Sequence, residues 1–254
     1  MNATYLGIEL VRTLRDLVSM FFVAILPALL YIIFGATQEY GDVDLGGGNV
    51  SAYIMIGMAA YGAVTATVGV GGMAAVEQMQ GWGRQLGLTP MSDAQRVVTK
   101  AMVGFVIAII PVGLIYLLGW LTGAEAEPRV WILSAIVVLI GAAVFSFFGL
   151  LAGLLFRSEG AVGAASGSLV IFGFLGNLFF PLSGVLLDIA RFTPLYGFVA
   201  LARYPLTDGD AVAMGSEPSA AHDPLWLPIL NLSVWAVVFV VATILVARRG
   251  RSRQ

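Results

Sequence analysis

The stretch AYIMIGMAAYGAVTATVGVGGMAAV, Ala52 to Val76, runs 25 residues without a charge. At 1.5 Å per residue a helix of that length reaches about 37 Å, enough to cross the roughly 30 Å of hydrocarbon in a bilayer. Comparable runs flank it at Leu17–Ala36, Ala101–Leu121, Trp131–Phe156, Ala161–Pro181 and Trp226–Ala247, and none of the six contains Asp, Glu, Lys or Arg. Over the whole chain 59% of residues are hydrophobic and 11% charged, with a mean hydropathy of +0.93. Soluble domains carry about 25% charged residues. In lipid every backbone polar group must bond internally, so uncharged runs of this length read as helices. The expected fold is an all-α membrane protein, one transmembrane domain over residues 1–254 with six spans. The first run is longer than the roughly 7–15 apolar residues of a signal peptide and reads as a retained span.

Charge placement orients the spans. Ten of the thirteen basic residues lie in the amino terminus, the second and fourth connections and the tail. Arg129, Arg191 and Arg203 lie on the other side, together with ten of the fifteen acidic residues. The excess of arginine marks the cytoplasmic side, so both termini are expected there, in a multi-pass protein of the cell membrane. The tail Arg248-Arg249-Gly250-Arg251-Ser252-Arg253 reads as a stop-transfer anchor for anionic lipid, with no nucleic-acid partner expected. Before the first run, Leu6, Leu10, Leu14 and Leu17 recur at helical spacing opposite Glu9, Arg12, Thr13 and Asp16. That pattern predicts an amphipathic helix lying in the interface plane.

Small residues mark candidate packing faces. Gly149 and Gly153, and likewise Gly163 and Gly167, form small-xxx-small pairs, while Gly69, Gly71 and Gly72 crowd the second run. Such pairs let helix backbones meet where lipid provides no hydrophobic drive, within the chain or between chains. The connection from about Leu182 to Leu225 is too long for a turn. Its first half, including Pro194 and Tyr196, stays apolar and predicts short re-entrant helices in the outer leaflet, followed by an acidic loop.

Several chemistries are missing. A Walker A loop needs a glycine before its lysine, but the one lysine, Lys100, follows Thr99. Cysteine is absent and histidine occurs once, at His222, so no metal cluster is expected. Gly163-Ala164-Ala165-Ser166-Gly167 faintly resembles a nucleophile motif, but the histidine lies in a polar outer loop, away from Ser166. Ion-coupled transport ordinarily uses charged residues at mid-membrane, and the runs hold none. The chain is therefore not expected to be an enzyme or to bind a cofactor.

The polar interruption EQMQGWGRQLGLTPMSDAQRVVTK, Glu77 to Lys100, carries the remaining information. It turns at Gly81, offers a short helical piece over Arg84–Leu88, breaks at Thr89-Pro90 and restarts at the N-cap candidate Ser92. Trp82, Leu86 and Leu88 would face the cytoplasm, as in a docking element. With Glu77, Gly81, Leu86, Leu88, Thr89, Pro90 and Lys100 in this order, the chain resembles the type-2 ABC transporter permeases, which export drugs, lipids and polysaccharides. Gly184–Pro205, with Pro194-Leu195-Tyr196 and Arg203, is similar to that family's outer re-entrant region, to which Pro181 also belongs. The resemblance implies a coupling helix in the Glu77–Lys100 loop, with Glu77, Gly81, Trp82, Arg84, Leu86, Leu88, Thr89 and Pro90 at a separate ABC ATPase subunit. Arg157 and Glu159 would form a second contact. ATP and Mg would be held by that partner. Efflux would run through a dimer, with a second copy or a similar permease, along a path lined by the second and fifth spans. Gln78, Gln80 and Trp82 stand where many members are more charged, which favours docking by shape and apolar burial. Met55, Met58, Phe172, Phe174 and Phe179 suggest an apolar or amphipathic cargo, or else ordinary packing. The alternatives are an ATP-independent membrane protein, either a secondary transporter or an anchor, and an intramembrane hydrolase using Ser166.

Overall fold

A computed structural model describes residues 3–79, 93–156, 158–212 and 221–251. Helix α1, Ala3–Arg15, comes first and stops at Asp16. The Asp16 carboxylate caps the next helix by accepting from the Ser19 backbone N–H at 3.1 Å and from its hydroxyl at 2.6 Å. These bonds hold the Asp16 carboxyl below its ordinary pKa. The first span, α2, covers Leu17–Ala36 and is interrupted by π-helical turns at Phe21–Ile25 and Ile32–Ala36. Pro27, which has no N–H to give, opens the α-helical stretch between them.

The remaining elements are α3, Val50–Met79; α4, Asp93–Leu121; α5, Pro128–Phe156; α6, Glu159–Leu175; α7, Gly184–Ala190; α8, Pro194–Thr207; and α9, Trp226–Arg251. Among the described residues, extended pairing is limited to isolated bridges. Five helices are long and apolar enough to cross a bilayer, or six if the bent pair α7–α8 counts as one span. The chain is thus an all-α, multi-pass membrane protein.

The stretch from Ala52 to Val76 lies at the centre. In α3, 83% of the most apolar stretch is buried, against 11% in α9, which lies on the rim. The neighbours come close because they meet at glycine. A methyl group on Gly149 would strike the Val68 carbonyl, one on Gly153 the Gly72 carbonyl, and one on Gly71 the Ser146 carbonyl. The α3 and α5 backbones therefore touch directly. Nothing lies within 4 Å of the same position on Gly163 or Gly167. That pair, alike in sequence, faces out of the chain.

Two expectations need correction. The fifth run does not stay helical to Pro181: α6 has 17 residues and ends at Leu175. Gly176 and Asn177 stop it, since Asn177 takes a left-handed φ of 60° and accepts the Leu182 N–H on its side chain at 2.7 Å. The amphipathic split of α1 also differs. Leu6 and Leu10 pack on the core as expected, but Glu9 turns inward too, while Ile8, Val11 and Leu14 are exposed.

At the end of the bundle away from α1, the connections are knotted together. The Asn49 side chain accepts the Ala52 N–H at 2.9 Å, capping α3, and accepts the Glu125 N–H at 3.0 Å. Its amide donates to the Gly123 carbonyl at 2.8 Å. Gly47 N–H reaches the Leu206 carbonyl at 3.0 Å. Asn231 on α9 donates to the Arg191 and Thr193 carbonyls at 2.7 and 3.2 Å, joining the rim helix to the α7–α8 corner. That corner is bent by 100°.

Candidate functional site

Glu77 sits in the last turn of α3 and Lys100 in the first third of α4. Lys100 Nζ donates to Glu77 Oε2 at 2.6 Å and to Glu9 Oε2 at 2.6 Å. The other Glu77 oxygen accepts from Arg12 Nη1 at 2.6 Å. Two carboxylates and two cations thus balance. The Glu9, Glu77 and Lys100 side chains are 7%, 12% and 15% exposed, whereas that of Arg12 is 55% exposed. Water screens the Arg12 pair, which is worth roughly 0–1 kcal/mol. The Lys100 pairs are shielded, and removing the lysine would leave two carboxylates in poor solvation.

Glu77 and Lys100 stand out in the sequence because they bound the polar interruption. Glu9 and Arg12 read there only as the wet face of an amphipathic helix. Their spacing of three residues places them on one face, but nothing in the sequence names the cation that meets them. The Glu77 salt bridges are also internal to the chain, where the surrounding glutamines and tryptophan pointed toward apolar docking. Of the other residues expected to contact a partner, Gly81, Trp82, Arg84, Leu86, Leu88, Thr89, Pro90 and Arg157 lie outside the described residues, and Glu159 opens α6.

The opposite end holds a second cluster. Arg203 on α8 is 3% exposed and donates to three backbone carbonyls: Tyr53 at 3.1 Å, Asn177 at 2.7 Å and Leu178 at 2.8 Å. The last two lie just past the end of α6, where unpaired carbonyls and the helix dipole favour a cation. Its guanidinium also lies 3.7 Å from the centre of the Tyr53 ring. Gly57 makes the room, because a methyl group there would collide with the guanidinium. Beside it a small cavity is lined by Tyr53, Asn177, Tyr196, Thr207 and Asp223, among others. Tyr196 donates to Asp223, which also accepts from Arg191 at 2.7 Å. Pro194 supplies the first turn of α8, where its missing N–H costs nothing, and Pro181 lies in the segment between α6 and α7.

Other candidates separate. His222 Nδ1 lies 2.8 Å from Asp210 Oδ1 in the loop after α8, while Ser166 belongs to α6. Among the described residues no three metal-ligating side chains gather. Met55 and Met58, considered as cargo contacts, are 1% and 0% exposed and belong to the core. Phe179 is buried as well, whereas Phe174 is exposed.

No family model matches the chain. Over 246 residues it is 24% identical to a protein of Bacillus subtilis (strain 168) named "Putative transport permease YvfS", a match covering 95% of this chain and 94% of that one. The similarity spans nearly the whole of both. The two chains are therefore alike over most of their length rather than in one shared segment.

Proposed function

We propose that this chain is a membrane transport permease and, more narrowly, the membrane-spanning subunit of a type-2 ABC exporter. The observation that supports permease function most is the near-complete overlap with the Bacillus subtilis protein, joined to helices built to cross a membrane. The narrower reading draws on the ordered residues Glu77, Gly81, Leu86, Leu88, Thr89, Pro90 and Lys100 and on the missing Walker lysine. The energy then comes from ATP hydrolysed on a separate ATPase subunit, which meets the cytoplasmic loop between α3 and α4. The cargo is apolar or amphipathic.

A path through the middle of one chain would have to displace α3, whose residues from Ala52 to Val68 are all buried. The path therefore forms between this chain and a second copy or a similar permease. Of α3, only its last third contributes, around the half-buried Gly69, Val70, Gly71, Met73 and Ala74. Alternating access is then a rigid-body change of packed helices driven by ATPase closure.

The test is affinity purification of the chain from its native membrane, followed by reconstitution in vesicles. An ATPase should co-purify, and a lipophilic dye should move only when ATP is supplied. Dye movement on a proton gradient, in vesicles holding this chain alone, would sink the ATP-driven reading.

A further inference from the structure

The Lys100 cluster joins three elements at one point. Glu77 comes from the end of α3, Lys100 from α4, and Glu9 and Arg12 from α1. The two helices that flank the polar interruption are therefore both bonded to the amino-terminal helix. Lys100 makes the junction, since its single ammonium meets a carboxylate from each of the other two elements. The pairs are shielded, so salt weakens them little.

What α1 holds in turn is α2. The two are separated by Asp16 alone, whose backbone carbonyl accepts the Met20 N–H at 2.9 Å. Only 28% of the most apolar stretch of α2 is buried, and two π-helical turns interrupt it. Packing fixes α2 far less than it fixes α3, so its position at this end depends on where α1 is held.

We infer that Lys100 is a positioning residue that ties α1 to the ends of α3 and α4, so that the three move as one body and steer the first span. The proposed function enters only in what drives the movement, namely a partner at the loop between α3 and α4. The tie itself requires no partner. The competing account is that lipid alone holds α1, through its exposed Ile8, Val11 and Leu14.

Pulsed electron resonance separates the two accounts. The chain has no cysteine, so a nitroxide pair at V11C and F156C, both exposed positions, reports the distance from α1 to the near end of α5 in lipid nanodiscs. A control pair at W120C and F192C, also exposed, reports on the opposite end. With the labelled chain diluted into an excess of unlabelled chain, so that distances within one copy dominate, the parent should give one narrow distance at each pair. Lys100→Met should add a second, longer population at the α1 pair and leave the control unchanged, and Lys100→Arg should restore the single distance. An unaltered α1 pair in Lys100→Met, with the control intact, overturns the tie and leaves lipid as the holder. If Lys100→Met broadens both pairs, Glu9→Gln replaces it, because the Lys100–Glu77 bridge survives there. A second population at the α1 pair alone then supports the tie, and a single distance overturns it. Failure of any ATPase to co-purify would remove the proposed driver without touching these outcomes.

Discussion

Arg203 shows how one side chain can close a structural gap. A guanidinium without a carboxylate beside it is costly in an apolar bundle. Here it serves two carbonyls of the turn just past the end of α6, and it stacks on Tyr53. Two substitutions test this from opposite sides. Arg203→Met should orphan the Asn177 and Leu178 carbonyls, at about 1–3 kcal/mol for each one left unpaired. Gly57→Ala should push the guanidinium aside and cost about 1–3 kcal/mol through overpacking. Thermal unfolding in detergent reads both, and the double variant should lose less than the two losses combined, since they break the same contact. The residue-scale legibility is uneven. Arg203 is visible as a charge in an apolar stretch, but its partners lie far away in the chain, and Gly57 looks like any other glycine of the second run.

At the scale of elements, the two glycine pairs make the clearest contrast. Gly149 and Gly153 carry the α3–α5 contact, while Gly163 and Gly167 have open space before them. Gly149→Val should therefore separate two backbones and lower the unfolding temperature of the isolated chain by several degrees, as expected for a loss of about 1–3 kcal/mol. Gly163→Val should leave that temperature nearly unchanged. Equal losses for the two would contradict the packing described. The spacing i, i+4 was readable for both pairs, but spacing does not say which helix stands opposite. The end of α6 was readable in principle, because Gly176-Asn177 is a helix stop signal. It was masked by the apolar residues that follow, whose hydropathy is the same in a turn as in a helix.

For the molecule as a whole, the arrangement of ends is the testable feature. The loops at residues 37–49 and 122–127 are bonded to each other and to the end of α8, while α1 meets the far ends of α3 and α4. The arginine count predicts that the latter side faces the cytoplasm. In intact cells a membrane-impermeant maleimide should therefore label D42C and E125C, and should reach S158C only after the membrane is opened. Labelling of S158C in intact cells would reverse the orientation. Amino-acid composition alone settled that this chain lives in a bilayer, because lipid demands long uncharged helices and the runs are written out residue by residue. Charge placement likewise sets the expected orientation, which is a property of connections rather than of contacts. Tertiary structure alone decided that α3 is enclosed, that Glu9 turns inward to Lys100, and which glycines touch. Those outcomes depend on residues brought together from distant parts of the chain. Local pattern describes a helix's own face, and its neighbour is chosen only when the whole bundle packs.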